Sequence, residues 1–134
     1  SYSFMYTHPG TKLLFQGSEF GQTSEWNFQQ SLDWHLLEYD VHKGAQNLVK
    51  DLNALYKEEP ALHEKQFSPD GFEWIDHGDH ENSVVTYIRK GEKEKDTVLV
   101  VLNLTPAPRE NYRIGLPKKG TLKVIFNSDA SKYN

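Results

Sequence analysis

The spacing of apolar residues changes character near residue 66. Residues 1–65 contain a short apolar segment, a long polar and aromatic loop, and one helical repeat, whereas residues 66–134 alternate short apolar stretches with turns. The first pattern predicts a strand, a loop and a helix. The second predicts an all-β antiparallel sandwich. We therefore expect an α+β chain whose two parts meet at about residue 65.

The first part is predicted to be a single βα unit. Lys12–Phe15 follows the turn signal Pro9-Gly10, which predicts a short buried strand. The helical repeat consists of Leu48, Leu52, Leu55 and Tyr56. It predicts a helix at residues 43–58, ended by Pro60. A βα unit cannot bury its own strand, so we expect neighbouring strands from outside this chain.

The second part is predicted to consist of short strands. They are expected at Phe72–Ile75, Ser83–Arg89, Thr97–Leu104, Tyr112–Leu116 and Leu122–Phe126. Residues 76–82 read as a turn between the first two strands. Thr97–Leu104 is nearly all apolar, which predicts a central strand buried on both faces.

Composition narrows the class of protein. The chain has 15 Lys plus Arg against 19 Asp plus Glu, and it has no cysteine. Mild acidity argues against a nucleic-acid binder, which needs a basic face. Disulfides and thiolate metal sites are excluded. No apolar run approaches the ~20 residues that span a bilayer. We expect a cytoplasmic protein with neither a membrane nor a nucleic acid as its partner.

The loop at residues 16–39 carries the candidate chemistry. Four carboxylates, those of Glu19, Glu25, Asp33 and Glu38, alternate there with aromatic rings. Rings can stack on the apolar face of a sugar, while acids and amides bind its hydroxyls. The alternative is a packed loop whose rings are core and whose acids cap helices or face water. A glycosidase needs two carboxyl groups held ~5–9.5 Å apart, which sequence spacing does not establish.

A second cluster suggests metal binding. His77, Asp79, His80 and Glu81 lie close together in the sequence. They fall in the predicted turn, where polar residues are ordinary, and no i, i+4 histidine pair supports them. We therefore assign no metal ligands.

Several long motifs resemble a known family. They are GTKLLFQGSEFGQTSEWN, SLDWHLLEY, LVKDLNALYKEEPALHE, GFEWID, NLTPAPRENYRIGLP and FNSDASKYN. In this order they resemble the C-terminal part of the 1,4-α-glucan (glycogen) branching enzymes of the α-amylase superfamily. The resemblance implies that residues 1–65 are strand 8, its loop and helix 8 of a (β/α)8 barrel. Residues 66–134 would then be an incomplete C-terminal all-β domain.

The resemblance also implies an activity. Branching enzymes cleave an α-1,4-glucan and transfer the segment to a 6-hydroxyl, which forms an α-1,6 branch by a retaining double displacement. No cofactor is implied. The implied partners are α-1,4-glucans and the N-terminal barrel of the same enzyme. The family's catalytic carboxylates lie on earlier strands, so no acid here inherits a catalytic role, and we expect a fragment that is inactive alone.

Six residues are implied to contact the glucan. Glu19, Gln22, Trp26 and Asn27 are candidates to line the cleft, because barrel enzymes place their active sites at the C-terminal ends of the strands. Asp33 and Trp34 would form its rim or a separate glucan contact. Three alternatives stay open: part of an α-glucan hydrolase, a non-catalytic α-glucan-binding module, or a purely structural β-domain.

Overall fold

Two helices and one sheet make up the regular structure of residues 2–134, the part of the chain that the computed structural model describes. In chain order they are α1 (Tyr2–Thr7), α2 (Asp40–Glu58), β1 (Phe72–Asp79), β2 (Val84–Lys90) and β3 (Thr97–Asn103). Short 3-10 turns lie at Ser18–Phe20, Trp34–Glu38, Pro60–Leu62, Pro69–Gly71 and Ser131–Tyr133. The observed structure is therefore a three-stranded antiparallel sheet together with one long helix.

Helix α2 confirms the predicted helix. Val49 and Leu52 on its inner face are 4% and 0% exposed, as the apolar repeat requires. The helix ends at Glu58, directly before Glu59 and Pro60. It begins three residues earlier than predicted, at Asp40, whose carboxylate is favourable at the positive end of the helix dipole.

The sheet has the order β1-β2-β3, with both pairs antiparallel. Tyr87 on β2 is opposite Trp74 on one side and Val100 on the other. The prediction that residues 97–104 form the central strand is wrong, because β3 lies at the edge. Val100 is 7% exposed whereas the next residue, Val101, is 47% exposed, so the apolar stretch is covered on one face only.

The first hairpin is longer than predicted. Strand β1 continues to Asp79, and the turn occupies residues 80–83 instead of 76–82. The pairing with β2 is irregular between Trp74 and Asp76 and again between Asp76 and Asp79. Because of these irregularities, the polar residues 76–79, which the sequence predicted as part of the turn, belong to the strand.

The core of the sheet is formed by β2 and β3. Its buried residues are Tyr87, Val100 and Leu102, with Phe72, Val85 and Val98 packed against them. Strand β2 is buried on both faces, because Thr86 and Ile88 are 1% and 4% exposed while Tyr87 and Arg89 on the opposite face are 0% exposed. This is expected of the central strand of the sheet.

The predicted strand Lys12–Phe15 is wrong, because residues 11–15 are irregular. Leu13 is 82% exposed and Phe15 is 60% exposed. A strand requires a hydrogen-bonded partner, and among residues 2–134 the three paired strands all lie in the sheet at residues 72–103. The local apolar pattern is present, but among the described residues it has no neighbouring strand to pair with.

The predicted strands Tyr112–Leu116 and Leu122–Phe126 are also wrong, as both segments are irregular. Leu122 and Val124 are 62% and 81% exposed, so the second segment buries neither side chain. The sandwich predicted for residues 66–134 is accordingly reduced here to one sheet. No helix among the described residues has the length and apolar character needed to cross a membrane.

Candidate functional site

A tight turn opens the candidate loop. Gly17 and Gly21 flank the turn at Ser18–Phe20 with φ angles of 87° and 68°, a region that favours glycine. The amide of Gly21 donates to the Ser18 carbonyl at 3.1 Å, and the amide of Gln22 donates to the Gly17 carbonyl at 2.9 Å. Glu19 lies in this turn and is partly exposed, so its carboxylate can reach solvent beside the loop.

Two of the predicted residues are joined by a hydrogen bond. The side-chain oxygen of Gln22 accepts from the backbone amide of Asp33 at 2.9 Å. The Asp33 carboxylate in turn accepts from the Ser24 hydroxyl at 2.7 Å. These bonds close the loop between residues 22 and 33, so Gln22 and Asp33 stabilise the loop conformation.

Trp26 lies in an exposed aromatic cluster. Its ring centroid is 6.0 Å from that of Phe15, at 81°, and 6.2 Å from that of Phe28, at 43°. Trp26 is 50% exposed and Phe28 is 77% exposed. We call Phe15, Trp26 and Phe28 the ring cluster. Sequence reasoning missed Phe15, which it placed in a buried strand.

Trp34 is held separately from the ring cluster. Its ring packs on that of Phe20 at 5.2 Å and 33°, and Phe20 is fully buried. The Phe20 carbonyl lies 2.8 Å from Nδ1 of His42 on α2, which anchors this part of the loop to the helix. Trp34 remains 51% exposed, so one side is fixed while the other faces solvent.

Asn27 has a local structural role. Its side-chain oxygen accepts from the amide of Gln29 at 2.9 Å, and its carbonyl accepts from the amide of Gln30 at 3.3 Å. Such side-chain bonds to the following backbone stabilise turns. The structure thus joins Gln22 with Asp33, and places Trp26, Trp34, Asn27 and Glu19 at separate points of one exposed loop.

The acidic and histidine-rich segment forms no metal cluster among residues 2–134. The Asp79 carboxylate instead accepts bonds from the Tyr112 hydroxyl at 2.6 Å and from the Asn82 side chain at 2.9 Å. These bonds lower the pKa of Asp79, with that from Tyr112 contributing most. The same bond raises the pKa of Tyr112 to about 12. Asp79 therefore anchors residue 112 to the first hairpin.

Comparison with known families first identifies the class of domain. The family described as "Alpha amylase, C-terminal all-beta domain" matches residues 74–134. This match covers β2, β3 and most of β1. Residues 74–134 are thus similar to the C-terminal all-beta domain of the alpha-amylase type.

Individual relatives show which enzymes the whole chain is similar to. The chain is 55% identical over 132 residues to the 1,4-alpha-glucan branching enzyme GlgB of Aquifex aeolicus (strain VF5), covering 98% of this chain and 21% of the relative. It is 56% identical over 131 residues to the enzyme of that name from Pseudomonas fluorescens (strain Pf0-1), covering 98% and 18%. For Cellvibrio japonicus (strain Ueda107) the identity is 53% over 132 residues, covering 98% and 18%.

These relatives confirm the resemblance found in the sequence. Over nearly its whole length, this chain is related to the 1,4-α-glucan branching enzymes. It spans about a fifth of the length of the curated relatives that it matches.

Proposed function

We propose that this chain is part of a glycogen branching enzyme, which cleaves an α-1,4-glucan and transfers the segment to a 6-hydroxyl to form an α-1,6 branch. The observation that carries this proposal is 55% identity across 98% of the chain with an enzyme of that name. We assign no catalytic carboxylate to the chain itself. Its cytoplasmic location stays a prediction.

The division at residue 65 belongs to the same proposal. Residues 1–65 would end a (β/α)8 barrel, and residues 66–134 would be the C-terminal domain. Support comes from the order of the turn, loop and helix α2, and from the exposed side chains of Leu13 and Phe15. A segment that leaves such side chains uncovered suits contact with barrel strands outside this chain.

Within this enzyme, the loop at residues 16–39 would contact the glucan. Trp26 and Trp34 are half exposed, and each packs against a second ring, Trp26 against the exposed Phe15 and Trp34 against the buried Phe20. A ring held in one orientation loses little conformational freedom when a sugar stacks on it, which favours binding. Gln22 and Asp33 would act mainly by keeping the loop closed, and Glu19 would meet sugar hydroxyls.

A second candidate places the glucan contact on the all-β domain. Trp74 on β1 is 45% exposed, and its ring meets that of Phe72 edge-on at 4.8 Å. A binding module without catalysis would use this ring as its stacking surface. Trp74 therefore serves as the comparison residue for the loop tryptophans.

Tryptophan fluorescence during titration with maltoheptaose tests the proposed contact, with cellohexaose as the β-linked control. We expect a saturable change that only the α-linked sugar produces. Trp26→Ala or Trp34→Ala should abolish it, while Trp74→Ala preserves it. Circular dichroism establishes that each variant is folded. Loss of binding in Trp74→Ala alone would favour the second candidate, and a flat response from the folded wild type would contradict both.

The reaction itself is tested by anomeric proton NMR of amylose incubated with the protein. Growth of the α-1,6 signal is the result expected of branching enzyme activity. New reducing ends without α-1,6 signal would instead identify an α-glucan hydrolase. Because catalytic carboxylates are assigned elsewhere in the enzyme, the assay uses the chain together with the barrel of a relative.

A further inference from the structure

Arg89 is a buried cation that bonds three separate segments of the chain. It lies on β2 and is 0% exposed. Its Nη1 donates to the Thr7 carbonyl at 2.7 Å, its Nε donates to the Gly71 carbonyl at 3.2 Å, and its Nη2 donates to the Leu62 carbonyl at 3.3 Å. One side chain therefore joins the end of α1 to two turns and the sheet.

The partners of Arg89 are neutral. None of the four ion pairs among the described residues involves it. Burial lowers the pKa of Arg89, yet a guanidinium stays charged in proteins. A buried charge is costly unless it is hydrogen-bonded, and here each of the three guanidinium nitrogens donates to a carbonyl. The planar guanidinium directs donors toward three carbonyls at once, which a lysine ammonium does less well.

A second side chain of β2 reaches the same residue of α1. The Tyr87 hydroxyl is hydrogen-bonded to the Thr7 hydroxyl, and Tyr87 is fully buried. Tyr87 and Arg89 are two residues apart, so they project from the same face of the strand. Both therefore hold the C-terminal end of α1 against the sheet.

The other end of α1 contacts the candidate loop. The Tyr2 hydroxyl donates to the Ser18 carbonyl in the turn that carries Glu19. Midway along the helix, the Tyr6 hydroxyl donates to the side-chain oxygen of Asn53 on α2 at 2.7 Å. Helix α1 thus connects the sheet to the start of the loop, and α2 supports it from the side.

We propose that Arg89 is a positioning residue for the glucan loop, acting through α1 on the turn at Ser18–Phe20. This inference rests on the proposed function, because glucan affinity is one of its measurements. Through this connection the all-β domain would influence the sugar contact without touching sugar. A change at Arg89 would then loosen a turn that shares no hydrogen bond with it.

Hydrogen exchange in Arg89→Lys tests the connection directly. We expect the amides of Gly21 and Gln22 to exchange roughly fivefold faster, a typical coupling between separated sites. Amides of α2 around Leu52 should be unchanged. Arg113→Lys is the matched control, since Arg113 is exposed and should leave every segment unaffected. Unchanged exchange at residues 21–22, or an equal rise throughout the chain, would overturn the proposal.

A milder variant covers the case in which Arg89→Lys fails to fold. Tyr87→Phe removes one hydroxyl and leaves the arginine in place, and it should accelerate the same amides. A double-mutant cycle with Tyr2→Phe then tests the route. If α1 carries the coupling, the effects of the two substitutions on the exchange of these amides are less than additive. Full additivity would contradict the route through α1.

Glucan titration gives the functional measurement. We expect Arg89→Lys to raise the dissociation constant for maltoheptaose roughly fivefold at a temperature where the variant is fully folded. Unchanged affinity together with faster turn exchange would overturn its role in glucan binding. If wild-type fluorescence does not change during titration with maltoheptaose, the proposed function is contradicted. Hydrogen exchange would still decide whether Arg89 positions the turn.

Discussion

Replacing Gly44 with alanine should destabilise this chain, although alanine is the better helix former. Gly44 is buried in α2, where the C-terminal segment packs on the helix. A Cβ atom at this position would lie 2.3 Å from the Tyr133 carbonyl oxygen and 2.7 Å from its carbon. Backbone atoms cannot rotate away as a flexible side chain can, so the segment must move.

The size of the effect follows from what Tyr133 would lose. Its side chain is 8% exposed, and burying such a ring is worth about 2 kcal/mol. Its hydroxyl donates to the Asp51 carboxylate, which adds about 1 kcal/mol. Alanine returns about 1 kcal/mol of helix propensity. The net loss is about 2 kcal/mol, equivalent to roughly 5–10 °C in melting temperature for a chain of this size.

Urea and thermal unfolding followed by circular dichroism measure this change. Gly115→Ala is the control, because a Cβ there meets nothing within 4 Å. In a Tyr133→Ala background the segment is already weakened, so Gly44→Ala should become stabilising by about 1 kcal/mol. If Gly44→Ala stabilises the otherwise unchanged chain, the close approach of Tyr133 to α2 is not as described.

Three further changes test separate features. The pKa of Lys12 is lowered to about 8, mainly by burial and secondly by Arg89. Between pH 8 and 10 the unfolded chain therefore binds more protons than the folded chain, so the free energy of unfolding in urea should rise with pH across that window, and this rise should vanish in Lys12→Met. The lowered pKa of Asp79 means that its contribution disappears as pH falls below about 4; Asp79→Asn should flatten the acid limb followed by circular dichroism, and an unchanged limb would contradict the pairing with Tyr112. Phe20→Ala should cost about 3–5 kcal/mol in urea unfolding and shift Trp34 emission to the red, whereas an unshifted emission would mean that Trp34 does not rest on Phe20.

Elements with a strong local pattern could be predicted from the sequence. Helix α2 was predictable because a 3.6-residue repeat places its apolar residues on one face, which is the buried face. Strand β2 was predictable from an apolar segment bounded by turns. Lys12–Phe15 has an equally clear local pattern, yet a strand depends on a partner that local sequence does not specify. For the same reason, the sequence does not show whether β2 or β3 is the central strand, because that depends on how the strands pair.

The candidate loop was predictable in its location but less so in its contacts. Its length and its mixture of rings and acids marked residues 16–39 as the candidate segment for sugar contact. The bond between Gln22 and Asp33 joins residues eleven apart, and no periodicity announces it. Arg89 was harder still, because its carbonyl partners are contributed by residues 18, 27 and 82 positions away.

The contacts of the loop divide its residues by role. Gln22, Ser24 and Asp33 use polar groups to close the loop on itself, and Asn27 uses its amide oxygen to form a turn. No hydrogen bond among the described side chains uses the Glu19 carboxylate, which leaves it available for a ligand. Trp34 rests on the buried Phe20, Trp26 packs among the exposed rings of Phe15 and Phe28, and both keep one side open to solvent. Under the proposed function, affinity should therefore depend on Glu19 and the two rings directly, and on the remaining polar residues through the loop conformation that they maintain.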